Sequence, residues 1–168
     1  MALIVETGAG DDPTANSYVS RENAIAYAAE RGVLIADEDA TDALAIQAMD
    51  YLSMQNWAGV RTYPLQPLDW PRKCVTPFGV LPDDVVPAQI VKAQCALIMY
   101  ASQGIELLPT KAAGSEKFVV SKKLGPIETT YSEAVALNAS NSPSMPIVNV
   151  LLRPFLEGGA GPTRSYRV

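Results

Sequence analysis

Apolar and polar positions recur with helical spacing in three stretches of this chain, and the rhythm changes abruptly between them. In the first, residues 21–31, Ala24, Ile25, Ala28 and Ala29 share one stripe. Small side chains along such a stripe let another helix approach closely. Ser20 precedes it as an N-cap, Glu22 suits the positive first turn, and Gly32 ends it. The second helix begins near residues 39–41 and runs to about Asn56. Leu44, Ala45, Ala48, Met49, Tyr51 and Leu52 fall on one arc, with Asp42, Gln47, Asp50 and Ser53 opposite. Ile46 and Met54 break this pattern by projecting from the polar side, as singly exposed apolar residues or as contacts to a neighbouring subunit. The third, residues 87–103, is apolar nearly all round, interrupted mainly by Gln89, Lys92, Gln94 and Gln103, and stops at Gly104. That profile predicts a helix in the middle of a bundle.

Between the second and third helices the period is lost. Pro64, Pro67, Pro71, Pro77, Pro82 and Pro87 exclude a long helix or a central strand across residues 57–87. Trp57, Tyr63, Leu65, Leu68, Trp70, Val75, Phe78 and Leu81 are too apolar for a disordered linker. An ordered loop, clamped over the helices by Trp57 and Trp70, is expected. After Pro109, residues 118–124 and 127–131 read as two strands flanking Gly125-Pro126, a hairpin over about residues 117–132. A polar Asn/Ser stretch leads to a last helix, about Ser144 to Arg153. Gly158, Gly159, Gly161 and Pro162 then loosen a chain that finishes as Arg164-Ser-Tyr-Arg-Val168. The expected fold is mainly α: a small bundle of about four helices with a β-hairpin, a proline-rich ordered loop and extended arms. One domain spans residues 1–168, with an N-terminal arm at 1–16, a helical core at 17–156 and a C-terminal arm at 157–168.

Composition narrows the chemistry. A chain of 168 residues can bury one proper core. With 48% hydrophobic and 18% charged residues, some apolar surface is expected between subunits. There is no histidine, which removes the commonest general base and every Ser-His triad. Gly8-Ala-Gly10 lacks the ending of a phosphate loop, and no Gly-x-Ser-x-Gly elbow occurs. The carboxylate clusters Asp11/Asp12, Asp37/Glu38/Asp39 and Asp83/Asp84 sit in turns or ahead of helices, where acids favour N-termini. No catalytic group, cofactor or metal site is expected, and hence no enzyme. Cys74 and Cys95 read as reduced, mostly buried thiols. No apolar run approaches the ~20 residues that cross a bilayer. Met1–Val5 does not read as a secretory signal, so a cytoplasmic protein without membrane contact is expected. The net charge of −5 is unevenly placed: residues 1–60 hold ten acids and two bases, residues 61–168 eleven bases and eight acids. Lys122, Lys123, Arg164 and Arg167 are the positions that could attract a phosphate backbone.

Several short segments, taken in order, carry a family likeness. Met1-Ala-Leu-Ile-Val5 with Ala15-Asn-Ser-Tyr-Val-Ser20 opens it, followed by Ala48-Met-Asp-Tyr-Leu52, Leu68-Asp-Trp-Pro-Arg72 and Val86-Pro-Ala-Gln-Ile-Val-Lys-Ala93. Lys123-Leu-Gly-Pro-Ile-Glu128 and Val150-Leu-Leu-Arg-Pro-Phe-Leu156 continue it. Together they resemble a phage and prophage family labelled DnaT-like single-stranded DNA-binding, whose members look similar to head–tail adaptor proteins of tailed phages. The second likeness implies a structural subunit of a dodecameric ring beneath the portal, located in the virion neck and made in the host bacterial cytoplasm. Its implied partners are further copies of the chain, the portal protein, a tail-side stopper or terminator, and double-stranded DNA sliding through the lumen without specific binding. Arg164, Tyr166, Arg167 and Val168 of the arm would then dock on a neighbour, with Lys122, Lys123, Ile46 and Met54 as further contacts. The family label implies the alternative, a single-stranded DNA-binding replication accessory protein.

Overall fold

The computed structural model describes residues 2–10, 12–35, 38–75, 81–108, 121–124, 127–130 and 145–158. Its helices are α1 (Arg21–Ala29), α2 (Glu38–Ser53), α3 (Ala88–Ser102) and α4 (Pro146–Leu152), the last running into a 3-10 turn, Arg153–Phe155. Strands β1 (Val60–Arg61) and β2 (Arg72–Lys73) form one antiparallel pair, and β3 (Ser121–Leu124) and β4 (Ile127–Thr130) another. The mainly α fold with a hairpin is therefore the one observed. The chain divides into two compact units, residues 1–107 with 144–168, and residues 108–143.

In the larger unit α3 packs against α1, α2 and α4, which explains its apolar circumference. Ile90, Ala93, Ala96, Leu97 and Ile98 are fully buried, and each of the three large ones contributes roughly 1.5–3 kcal/mol before entropy. Ala24 and Ala28 of α1 and Ala45 and Ala48 of α2 are equally buried, the small residues that close helix approach requires. The α1 stripe is narrower than its sequence suggests, because Ala29 at the helix end is exposed and Ile25 only half-buried. At that end Gly32 takes φ +76°, its N–H bonding the Ala29 carbonyl while Val33 N–H bonds that of Ala28, a Schellman closure.

Two polar residues lie deeper than their sequence pattern implies. Asp42, placed on the polar arc of α2, is buried because Arg21 reaches it from α1, Nε donating to Oδ1 at 2.9 Å and Nη2 to Oδ2 at 2.6 Å. That guanidinium holds the Asp42 carboxyl below its ordinary pKa. Gln94, expected as a polar interruption of α3, is fully buried. Its Oε1 accepts from Tyr18 N–H at 2.9 Å, and its Nε2 donates to Ser17 Oγ at 2.9 Å and the Ala45 carbonyl at 3.4 Å. The amide thereby ties α3 to α2 and to the segment before α1.

Residues 2–10, expected as part of an arm, are stitched to that segment. Ile4 N–H donates to Asn16 Oδ1 at 2.8 Å, Asn16 N–H returns to the Ile4 carbonyl at 2.9 Å, and Glu6 N–H reaches Ser17 O at 2.8 Å. The buried Glu6 carboxylate accepts from Gly8 and Gly10 N–H at 2.8 and 3.1 Å. At the other end Leu156 bridges Trp57, and Glu157 N–H bonds the Asn56 carbonyl at 2.8 Å. Residues 159–168, most of the expected C-terminal arm, lie outside the described residues. Both thiols are free, but Cys74 is exposed at φ +59°, against the expectation of burial, because it follows β2 on a surface turn; Cys95 is buried in α3.

Candidate functional site

The proline-rich segment is built on three buried rings. Trp70 meets Trp57 edge-on at 5.8 Å between centroids and Phe155 at 5.5 Å, both interplanar angles being 88°. This is the geometry that aromatic quadrupoles favour. Trp57 Nε1 donates to the Leu52 carbonyl at 3.1 Å, closing the clamp on the end of α2. The Trp70–Pro71 peptide is cis. Trp70 N–H donates to Tyr18 Oη at 3.0 Å, and burial pushes that phenol's pKa well up. The Gln66 side chain binds the loop from inside, accepting from Tyr63 N–H at 2.9 Å and donating to the Leu68 and Pro71 carbonyls at 2.7 and 3.0 Å.

On this base stands the β1–β2 ribbon, with Val60 opposite Lys73 and Arg61 opposite Arg72. Like charges directly opposite each other repel, so the two arginines need separate partners. Arg72 Nε donates to the Ala58 carbonyl at 2.8 Å and its Nη2 to that of Gly59 at 2.7 Å. Desolvation lowers its pKa, though a guanidinium stays charged. Arg61 Nη2 donates to Asp69 Oδ1 at 2.8 Å, with the Arg61 side chain 48% exposed. Lys73 is half-exposed and makes no ion pair among the described residues. Val60 is 59% and Leu65 91% exposed, while Tyr63 is half-buried. Thr62 Oγ1 donates to the Asp83 carbonyl, so the acidic turn Asp83–Asp84 adjoins β1 and limits the local excess of positive charge.

Of the residues singled out from sequence, Lys122 and Lys123 occupy β3 at the register positions of Thr129 and Glu128. Ile46 is half-buried in α2, and Met54, just beyond its end, is 72% exposed. Arg164, Tyr166, Arg167 and Val168 lie outside the described residues. Sequence reasoning does not single out Arg61, Arg72 and Lys73. The available signal is local charge: residues 57–75 hold these three bases against one acid, Asp69, within an otherwise acidic chain. Among the described residues no group of three His, Cys, Asp or Glu could hold a metal ion, and no helix is long and apolar enough to cross a membrane.

These features define a small, mainly helical protein that carries cations on short two-stranded ribbons. The whole chain, residues 1–168, matches the family described as "Putative DnaT-like ssDNA binding protein", and the chain belongs to that family. No curated protein and no solved structure matches it. The expectation of a head–tail adaptor is thereby corrected, because the family that covers the chain is described by single-stranded DNA binding and no match is to a connector. The dodecameric ring, the portal and stopper or terminator partners, and passive passage of double-stranded DNA fall with it.

Proposed function

We propose that this protein binds single-stranded DNA as a replication accessory, working in the bacterial cytoplasm by binding and not by catalysis. The family match over the entire chain carries this reading. Lys122 and Lys123 on β3 supply cations, as do Arg164 and Arg167 near the chain end. Single-strand binders combine such cations with aromatic or apolar surfaces on which bases stack. The net charge of −5 opposes any long-range attraction of DNA, so affinity comes from short-range phosphate contacts and released counterions. Each such contact steepens the salt dependence by about 0.7 in log–log slope. Mobility-shift titration of a labelled oligothymidylate at low salt tests the reading. Micromolar or tighter binding is expected, weakening as salt rises and collapsing when Lys122 and Lys123 are both replaced by Gln. Absence of any shift at low salt would dispose of it.

A further inference from the structure

The fold accounts for only part of the positive charge on the β1–β2 ribbon. Arg72 is structural: its guanidinium fastens β2 to the carbonyls of Ala58 and Gly59. Arg61 and Lys73 are not required in this way. Arg61 has one partner, Asp69, in an exposed pair of the kind worth roughly 0–1 kcal/mol. Lys73 contributes no ion pair among the described residues, and its cross-strand neighbour is the exposed Val60. Two surplus cations, one from each strand, therefore flank a ribbon whose adjoining loop exposes Leu65 and part of Tyr63. The support beneath them is rigid, since Gln66, Arg72 and the Trp57–Trp70–Phe155 stack hold both strands. Little backbone freedom remains to be lost on binding, and the ordering cost falls on the two side chains.

From this we infer that the β1–β2 ribbon is a contact site for the phosphodiester backbone of single-stranded DNA, with Arg61 and Lys73 as the phosphate-binding residues. The inference rests on the function proposed above and adds to it a site in the larger unit, separate in sequence from the lysines of β3. Arg61 pairs with Arg72 and Lys73 with Val60, so the two cations belong to opposite faces of the ribbon. The strand is accordingly taken across the ribbon edge, where two long side chains reach it from either side. Val60 and Leu65 offer the apolar surface against which an unstacked base loses water. Asp69 competes with phosphate for Arg61, which makes the contact weaker than its charge count suggests.

The test is fluorescence polarisation of a labelled oligothymidylate over a salt series, using the full chain. The double variant R61Q/K73Q is expected to bind several-fold to roughly 70-fold more weakly near ~50 mM salt, and to lower the log–log salt slope by about 1.4, from about 0.7 per phosphate contact. D69N, which releases Arg61 from its carboxylate, is expected to bind more tightly than the natural protein. R31Q, a charge change at the end of α1, should leave affinity within about twofold beyond its share of the general electrostatic effect. Equal thermal midpoints for the double variant and the natural protein establish that the fold is intact. If the natural protein binds and R61Q/K73Q matches it in affinity and slope, with D69N unchanged, the ribbon assignment is overturned while the proposed function stands. If the natural protein does not bind at all, both fall together.

Discussion

Replacing Tyr18 by Phe removes one oxygen and leaves the packing intact, which makes it a clean probe of how the clamp is attached to the helices. Tyr18 is 4% exposed, its backbone is held by Gln94 at 2.9 Å, and its Oη accepts from Trp70 N–H at 3.0 Å. In Y18F that amide stays buried without its acceptor, a loss of about 1–3 kcal/mol at neutral pH. For a chain of this length the thermal midpoint should fall by roughly 3–10 °C. A second signature comes from titration. Burial raises the Tyr18 pKa in the folded state, whereas in the unfolded chain it ionises near its ordinary value of about 10. Above that pH the unfolded chain binds fewer protons than the folded one, so this contribution to stability is lost at up to about 1.4 kcal/mol per pH unit. Y18F has no such group. Urea denaturation at a series of pH values should therefore show the gap between the two proteins narrowing by roughly 1 kcal/mol between pH ~9 and ~11. Cys95, raised by burial to about 11, and the raised Tyr27 and Tyr51 act alike in both proteins and cancel. A variant within about 0.5 kcal/mol of the natural protein at pH ~7, with a parallel alkaline limb, would refute the role given to this hydroxyl.

At the acid end, Arg21 depresses the Asp42 pKa, so its stabilisation is complete above the unfolded carboxylate value of about 3.9 and is lost as pH falls through the folded value. D42N should cost about 1.5–3 kcal/mol at neutral pH and flatten the acid limb of a denaturation series. Gly59 has φ +73°, and a methyl group there would run into the Lys73 carbonyl oxygen, whereas Gly32 has open space around the same position. Both Gly→Ala changes incur about 1–2 kcal/mol for the left-handed backbone, and only G59A should also disturb the ribbon, seen as a larger drop in melting temperature. Under native conditions one thiol per chain, Cys74, should react rapidly with a disulfide reagent at mildly alkaline pH. Cys95, buried and raised to about 11, should react only after unfolding, and equal rates would contradict the burial described.

The local signals in the chain carried most of the fold. An all-round apolar stretch ending at Gly104 is α3, Ser20 and Gly32 bracket α1, and two tryptophans within a proline-rich run mark the clamp. Gly125-Pro126 between strand-like runs marks the hairpin of the smaller unit. What escaped were contacts made across long separations. Asp42 reads as a surface acid until Arg21, one helix earlier, is folded onto it. Gln94 reads as a polar break in a helix until Tyr18 and Ser17 arrive as partners. Glu6 is held in its buried position by backbone amides that bond its Oε1, which no side-chain pattern displays. Strands β1 and β2 are two residues long, too short for any alternation to register, so Arg61 and Lys73 appear in sequence as scattered bases. The family was legible through the order of short segments more than through any chemical motif, and the further step from that likeness to a virion adaptor did not hold.

The most direct test of the central claim is the affinity of the natural protein for a labelled oligothymidylate, measured by polarisation across a salt series beside a duplex of the same length. Saturable binding in the micromolar range or tighter at low salt, weakening with added salt and stronger for the single strand, is the predicted result. No change in polarisation at the lowest salt and at saturating protein would contradict it.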